Sequence, residues 1–180
     1  THEMINDIFP ALEKTVTRNV SFITSQELED MYPDLSPKQR EDVYVKEHKT
    51  VFIMQIGKTL KSGKKHDGRA PDYDDWEMNG DILMYNKVLD SALEISSMGI
   101  RVDSEALDRQ LKLSNCEDRR KLMFHKMLLN NELPLTIGGG IGQSRLCMLL
   151  LQKAHIGEVQ VSIWDKLTQD NCRKAGIMLL

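Results

Sequence analysis

Gly138-Gly139-Gly140-Ile141-Gly142-Gln143-Ser144-Arg145 is the stretch from which the rest of the chain is best read. An apolar approach, Leu133-Pro134-Leu135-Thr136-Ile137, leads into it, and Leu146-Cys147-Met148-Leu149-Leu150-Leu151 comes after it. That order predicts a strand, a glycine turn and a buried helix. Glycine lets a backbone approach a flat ring or a phosphate, because no Cβ intervenes. An arginine at the mouth of such a turn can pair with phosphate or stack on a base. The dinucleotide fingerprint wants a third glycine where this chain has Arg145, and no Gly-Lys-Ser/Thr follows the glycines as in a P-loop. On these residues two readings stand: a nucleotide-binding turn holding Gly140, Gly142 and Arg145, or a tight packing turn with an arginine at its edge.

Working outward, the patterns alternate between helix and strand. Ile5, Ile8, Leu12 and Val16 predict an amphipathic helix over residues 2–17, and Val20–Ile23 a short strand. Ser36-Pro37-Lys38-Gln39 is a capping box with proline at the first helical position, starting a helix that reaches about Lys49. Val51–Gly57 reads as a buried strand, Lys58–Trp76 as a polar loop, and Asp81–Tyr85 with Ala92–Met98 as a hairpin. Asp103 caps a helix carrying Ala106, Leu107 and Leu111 inward. Ser114-Asn115-Cys116-Glu117 looks like a second capping box, for a helix through about Asn131, and Val159–Trp164 like a last strand. The expected fold is α+β, an antiparallel sheet flanked by helices.

With 180 residues, the chain suits a single domain. A net charge of −3, with mixed signs along the chain, argues against a nucleic-acid partner or an anionic membrane surface. The longest apolar run, Leu146–Leu151, is far too short to span a bilayer. Cys116, Cys147 and Cys172 are widely spaced, offer neither a disulfide framework nor zinc spacing, and fit a reducing cytoplasm. Cys147, inside the apolar helix, is expected in the core. The chain opens Thr1-His2-Glu3 without a methionine, which suggests a processed or partial polypeptide.

Two groups of acids stand out. If Asn86–Leu89 is the hairpin loop, Tyr85 pairs with Asp90, and Asp81 then faces Glu94. Directly opposed like charges are destabilising, so a magnesium ion between them is one reading, since magnesium takes one or two carboxylates plus substrate phosphates. Solvated surface acids are the other. Residues 67–75 hold four aspartates beside His66 and Arg69, in a loop that fits an acidic turn or a binder of an ammonium group or a metal. Ser96-Ser97-Met98-Gly99-Ile100-Arg101 gathers two hydroxyls and an arginine next to Glu94; Arg101 is either a bidentate carboxylate clamp or an exposed strand end.

Asp72–Trp76, Asn79–Leu83, Glu94–Arg101 and Gly138–Arg145 occur in that order, with Leu149–Gln152 and His155–Gln160 behind them. As a set they resemble ammonia-dependent asparagine synthetase, the aspartate–ammonia ligase family, over nearly the whole chain. The resemblance implies the catalytic fold of class II aminoacyl-tRNA synthetases, with Gly138–Arg145 as that class's third motif. It implies ATP and Mg2+ as cofactors and L-aspartate and ammonia as substrates. The aspartate side chain attacks the α-phosphate, pyrophosphate leaves, and ammonia then displaces AMP from the β-aspartyl-adenylate. By similarity, Asp74 receives the substrate ammonium, Arg101 its α-carboxylate, and Asp81 and Glu94 magnesium and phosphate. Ser96 and Ser97 line the pocket, and Arg145 covers the adenine and reaches the phosphates. Arg101 and Arg145 are the catalytic candidates. The family is expected to be a cytoplasmic homodimer with no nucleic-acid partner.

Two departures accompany the resemblance. Family members carry an N-terminal portion, with the dimer-forming segment and the α-phosphate arginine, that this sequence lacks, so residues 1–180 are expected to be the C-terminal part of one incomplete catalytic domain. They also carry a longer loop where Glu77-Met78 alone joins Trp76 to Asn79. The alternatives are an aspartyl- or asparaginyl-tRNA synthetase catalytic domain, or a non-catalytic nucleotide-binding module of the same class.

Overall fold

The computed structural model describes residues 2–12 and 16–180. Its centre is a five-stranded sheet in the order β1 (Ser21–Thr24), β2 (Thr50–Met54), β3 (Asp74–Asn86), β4 (Ser91–Arg101), β5 (Ile137–Ile141). All neighbours are antiparallel except β1 and β2, which run parallel, so the sheet is mixed rather than purely antiparallel. A parallel pair needs a crossover, and α2 (Ser25–Met31) and α3 (Pro37–His48) supply it.

Both crossover helices start on capping boxes. Thr24 and Glu27 cap α2, a signal readable as Thr-x-x-Glu but not anticipated, and Ser36 and Gln39 cap α3 as expected. The helices cover one end of one sheet face, where Leu28, Tyr44 and Val45 pack on Ile23, Val51, Ile53, Leu83 and Ala92. Beneath them Glu29 is buried with Arg40, 3.3 Å away, and takes hydrogen bonds from the Ser62 amide and hydroxyl. A second core joins Val102 to Ala106, Leu107 and Leu111 of α4 (Ser104–Leu113) and Leu128 of α5 (Met123–Leu129). Asp103 caps α4 as expected, its carboxylate accepting from the Ala106 amide at 2.7 Å.

Several expectations are corrected. Helix α1 covers only His2–Ile8, Ile8 is exposed, and part of the expected span through Thr17 lies outside the described residues. Strand β2 stops at Met54 because Gln55 takes a positive φ of 60°. Ser114 caps the C-terminus of α4 instead of opening a helix. A 3-10 turn, Glu117–Lys121, comes next, then extended Leu122, and only then α5. The glycines are not a turn but the strand β5 itself, and α6 (Gln143–Leu150) starts directly at Gly142. Cys147 lies on the exposed side of α6, while Met148, Leu149 and Leu150 are buried. Residues 159–164 form no strand; Val161 and Ile163 are exposed, and the chain continues into α7 (Lys166–Lys174), capped by Asp165. Among the described residues no strand lies beside them to complete a ladder, which an extended segment needs to count as sheet.

Side chains alternate across a strand, so the sheet has two different faces. Val51, Ile53, Leu83 and Ala92 share one face with Asp81 and Ser97. Phe52, Met54, Ile82, Met84, Met98 and Ile141 share the other, which α6 flanks through Leu146 but which stays largely open as an apolar groove of about 860 Å3. An exposed apolar area of that extent drives association. The 180-residue chain in dilute buffer is therefore expected to run above its 20.6 kDa monomer mass in light scattering, and Phe52→Ser with Met98→Ser to reduce the association. A monodisperse wild-type monomer would contradict this. A further expectation concerns acid stability. The Ser62 hydrogen bonds, with Gln26 and Arg40, outweigh burial and hold Glu29 down at about 2, against an ordinary 4.5. A depressed carboxylate stabilises the fold above its unfolded pKa, and that contribution is lost as pH falls through the folded value. The melting-temperature gap between wild type and Glu29→Gln should be full above pH 4.5 and close towards pH 2. A gap independent of pH would contradict it.

Candidate active site

The hairpin β3–β4 carries the site, and its register decides which acids meet. Asn86 accepts hydrogen bonds from the Val88 and Leu89 amides at 3.0 and 3.3 Å, and Asp90 takes a positive φ of 49°. An asparagine side chain that closes a turn in this way becomes the last strand residue. The loop is therefore Lys87–Asp90, one residue later than expected, and Tyr85 pairs with Ala92. Asp81 lies opposite Ser97, and Glu94 opposite Leu83; the expected face-to-face pairing of the two acids does not occur.

Two bulges then restore what the register shift would have lost. Ile82 pairs with Ser96 and Leu83 with Glu94, leaving Ile95 as one extra residue in β4. An odd insertion flips the alternation. Under regular alternation Glu94 and Ser97, three residues apart, would point to opposite faces; with Ile95 bulged out, Glu94 joins Asp81 and Ser97. The second irregularity lies between Asp74, opposite Arg101, and Asn79, opposite Gly99. Five steps along β3 span two along β4, so three residues are extra, again odd, and Asp74 returns to the face of Asp81. This is where the resemblance places a longer loop. Trp76 is buried there, its amide donating to Gln110 Oε1 at 2.8 Å. Gln110 donates in turn to the carbonyls of Pro71 and Asp74 at 2.9 and 3.0 Å, which fixes the backbone of Asp74. No motif marks Gln110; its signal is a polar residue on the inward stripe of Ala106, Leu107 and Leu111.

Asp74, Glu94, Ser96, Ser97, Arg101, Gly140, Gly142 and Arg145 all line one cavity of about 250 Å3, together with Tyr73 and Ile95. The sequence thus named most of its lining, and Asp81 sits on the same face beside Ser97. Each acid on this face has an arginine: Asp74 pairs with Arg101, Asp81 with Arg69, and Glu94 with Arg145 at 3.2 Å. Arg101 also lies over the Tyr73 ring, 3.9 Å from its centre, and donates to the Tyr73 hydroxyl at 3.0 Å. Glycine is required around that pair: a Cβ on Gly99 would come within 2.9 Å of Asp74 Cγ, and one on Gly138 would overlap the Arg101 guanidinium. A Cβ on Gly140 would meet nothing within 4 Å, so this glycine leaves bare backbone beside Ser97 as a floor for a flat group. Ser96 turns its hydroxyl to the Gly140 carbonyl at 2.9 Å and so holds β5 in place.

The rest of the acidic loop is structural. Asp72 accepts from Arg119 at 2.8 Å and His125 at 3.0 Å, and Asp75 from Arg109 at 3.0 Å. Burial pushes the Asp72 carboxyl up, but the hydrogen bonds from Arg119 and His125 outweigh it and leave it lowered. Asp81 behaves oppositely. Burial raises its carboxyl, the Glu94 charge adds to the rise, and Ser97 and Arg69 only partly offset it. Asp81 Oδ1 is buried without a hydrogen-bond partner. A buried carboxylate oxygen left bare beside a second carboxylate suits a divalent cation that brings further ligands of its own. Among the described residues no three acids, histidines or cysteines converge as a metal cluster.

Comparison with known proteins bears on the fold and the family. Asparaginyl-tRNA synthetase from Entamoeba histolytica, in complex with asparaginyl-adenylate, superposes with a TM-score of 0.56 at 18% identity, over 88% of this chain and 37% of that one. Aspartyl-tRNA synthetase from the same organism superposes with a TM-score of 0.62 at 17% identity, over 92% and 38%. At such identities the likeness shows the fold: a class II synthetase catalytic core. Proteins named aspartate–ammonia ligase are 63% identical in Clostridium tetani, 59% in Ruminiclostridium cellulolyticum and 57% in Fusobacterium nucleatum, each over the whole of this chain. The chain spans about half the length of these relatives, 53–55%. The family model described as aspartate-ammonia ligase matches residues 1–176, and the chain belongs to that family.

Proposed function

We propose that these residues form part of an enzyme that makes L-asparagine from L-aspartate, ammonia and ATP. The single observation that carries this is the convergence of Asp74, Glu94, Ser97, Arg101, Gly140 and Arg145 on one small polar cavity. Asp74 and Arg101 form an ion pair of fixed spacing. The α-ammonium and α-carboxylate of an amino acid present the complementary pair, so the substrate can exchange one internal ion pair for two external ones. That exchange leaves no buried charge unpartnered, which is the costly outcome in such sites. Tyr73 keeps the guanidinium plane oriented for a two-donor contact.

The Gly140 floor and Arg145, at the mouth of the cavity, suit the adenine and phosphates of ATP. Magnesium, held by Asp81 and Glu94, would supply positive charge to those phosphates. With the amino acid anchored by its α-groups, the side-chain carboxylate is left free to attack the α-phosphate and expel pyrophosphate. Ammonia then attacks the acyl carbon and AMP departs. The protein's share is positioning and charge stabilisation. A homodimer in the cytoplasm is the expected setting, and no described helix is long and apolar enough to cross a membrane. The same site geometry would serve a tRNA synthetase; the family match favours the free amino acid and ammonia as reactants, and a tRNA-charging assay separates the two.

In an enzyme of the family's length, Arg101→Lys should cost about 2–3 kcal/mol in kcat/KM for aspartate, because a point charge replaces a planar fork. An unchanged aspartate dependence would remove Arg101 from the site. The 180-residue chain by itself is expected to release no AMP that depends on both aspartate and ammonium when supplied with ATP and magnesium. The α-phosphate charge must be neutralised in the transition state, and among the described residues no further arginine lines the cavity beyond Arg101 and Arg145. Robust asparagine formation by this chain would overturn that division of labour.

A further inference from the structure

Arg69 has no role in the reaction proposed for this site, yet it occupies the chemistry's most constrained position. It descends from the loop over residues 58–73 and pairs with Asp81 through Oδ2, leaving Oδ1 bare. Asp81 is more than nine-tenths buried, and the Arg69 side chain is 21% exposed. Its other amino group lies 3.3 Å from Asp67, whose carboxylate is exposed at the loop surface. The guanidinium is thus shared between a buried carboxylate and a surface one, and its route from one to the other is short. By contrast, the Arg145–Glu94 pair is nearly half exposed, where water screens it.

We propose that Arg69 is the resident counter-cation of Asp81, closing that carboxylate to a bare divalent cation and releasing it when a metal–oligophosphate complex arrives. The proposal rests on Asp81 being a metal ligand. A guanidinium and a divalent cation on one carboxylate repel each other strongly at such range. A bare cation offers Arg69 nothing in exchange for leaving. A triphosphate offers oxygens in the geometry that a guanidinium fork pairs with, and so takes Arg69 away as it delivers the metal. Metal and nucleotide then bind with positive coupling, each favouring the other.

The test needs no turnover. Mn2+ alone is titrated into the 180-residue chain and free Mn2+ followed by electron paramagnetic resonance, with circular dichroism melts to check folding. Wild type should bind Mn2+ weakly, Arg69→Gln on the order of tenfold more tightly, and Arg69→Lys close to wild type. Adding Asp81→Asn to Arg69→Gln should abolish the gain. Arg69→Met, which keeps the apolar stem, repeats the measurement if Arg69→Gln does not fold. Equal or weaker Mn2+ binding in the uncharged variants would overturn the inference while leaving the metal role of Asp81 standing. Tightening that survives Asp81→Asn would instead remove Asp81 from the metal site and with it the metal assignment. If neither uncharged variant folds, Arg69 is structural cement that cannot leave, and the inference fails.

Discussion

Asp81 is a buried carboxylate beside two residues of the apolar core, Leu83 on its own strand and Ile53, its partner on β2. Charge cannot be left alone in such a place, and the requirement for a cation organises everything around it. Arg69 answers it from above, and the same solution recurs twice on that face, with Arg101 at Asp74 and Arg145 at Glu94. Stability alone does not call for these pairs. Replacing a buried ion pair by well-packed apolar residues is often neutral or stabilising, whereas removing one partner is costly. Two of the three pairs, at Asp81 and Asp74, bury their carboxylates, so stability alone is a poor explanation for them. Each carboxylate on this face has a partner within the chain, so the face can fold without a ligand.

The pairs meet because β3 and β4 are irregular in two places. Regular alternation would send Glu94 and Asp74 to the side opposite Asp81. One extra residue at Ile95 and three between Asp74 and Asn79 reverse the alternation at both ends of the site. Such bulges cost ladder hydrogen bonds, and the structure replaces them with side chains. Asn79 accepts from the Ile56 amide and donates to the Ile56 carbonyl, both at 2.8 Å, carrying the ladder past the end of β2. Gln110 does the same for Trp76 and Asp74. These two buried amides matter to the site without touching it.

How far the sequence could be read depends on the kind of signal each feature leaves. Capping boxes and the Asp103 cap are local, and α3 and α4 fall where Ser36 and Asp103 place them. The cavity-lining residues were legible as a set through the family resemblance, because taken singly each had an ordinary reading as a packing turn, a surface acid or an exposed strand end. The pairing of Asp81 with Ser97 was not legible. Register depends on how Asn86 closes the turn and on a bulge at Ile95, and neither changes the apolar–polar pattern from which a strand is read. The segment over 159–164 shows the converse. Its residues favour a strand, but among the described residues Val161 and Ile163 have no neighbouring strand to pair with, and propensity without a partner makes no sheet. Ser114 had the letters of a capping box, yet the C-terminal end of α4 reached it first.

The two faces of the sheet differ in how complete they are. On the charged face each carboxylate has an arginine partner, while Asp81 Oδ1 is left bare. On the other, Phe52, Met54, Ile82, Met84 and Met98 line an open apolar groove. Both arise from the same alternation along the same strands, so a substitution that slips the register by one residue would exchange them, putting Asp81 into the groove and Ile82 into the site. The bulges and the Asn86 turn that hold the register therefore matter to the proposed site as much as Arg101 or Glu94. Through them the hairpin keeps a face of paired charges on one side and an apolar face on the other.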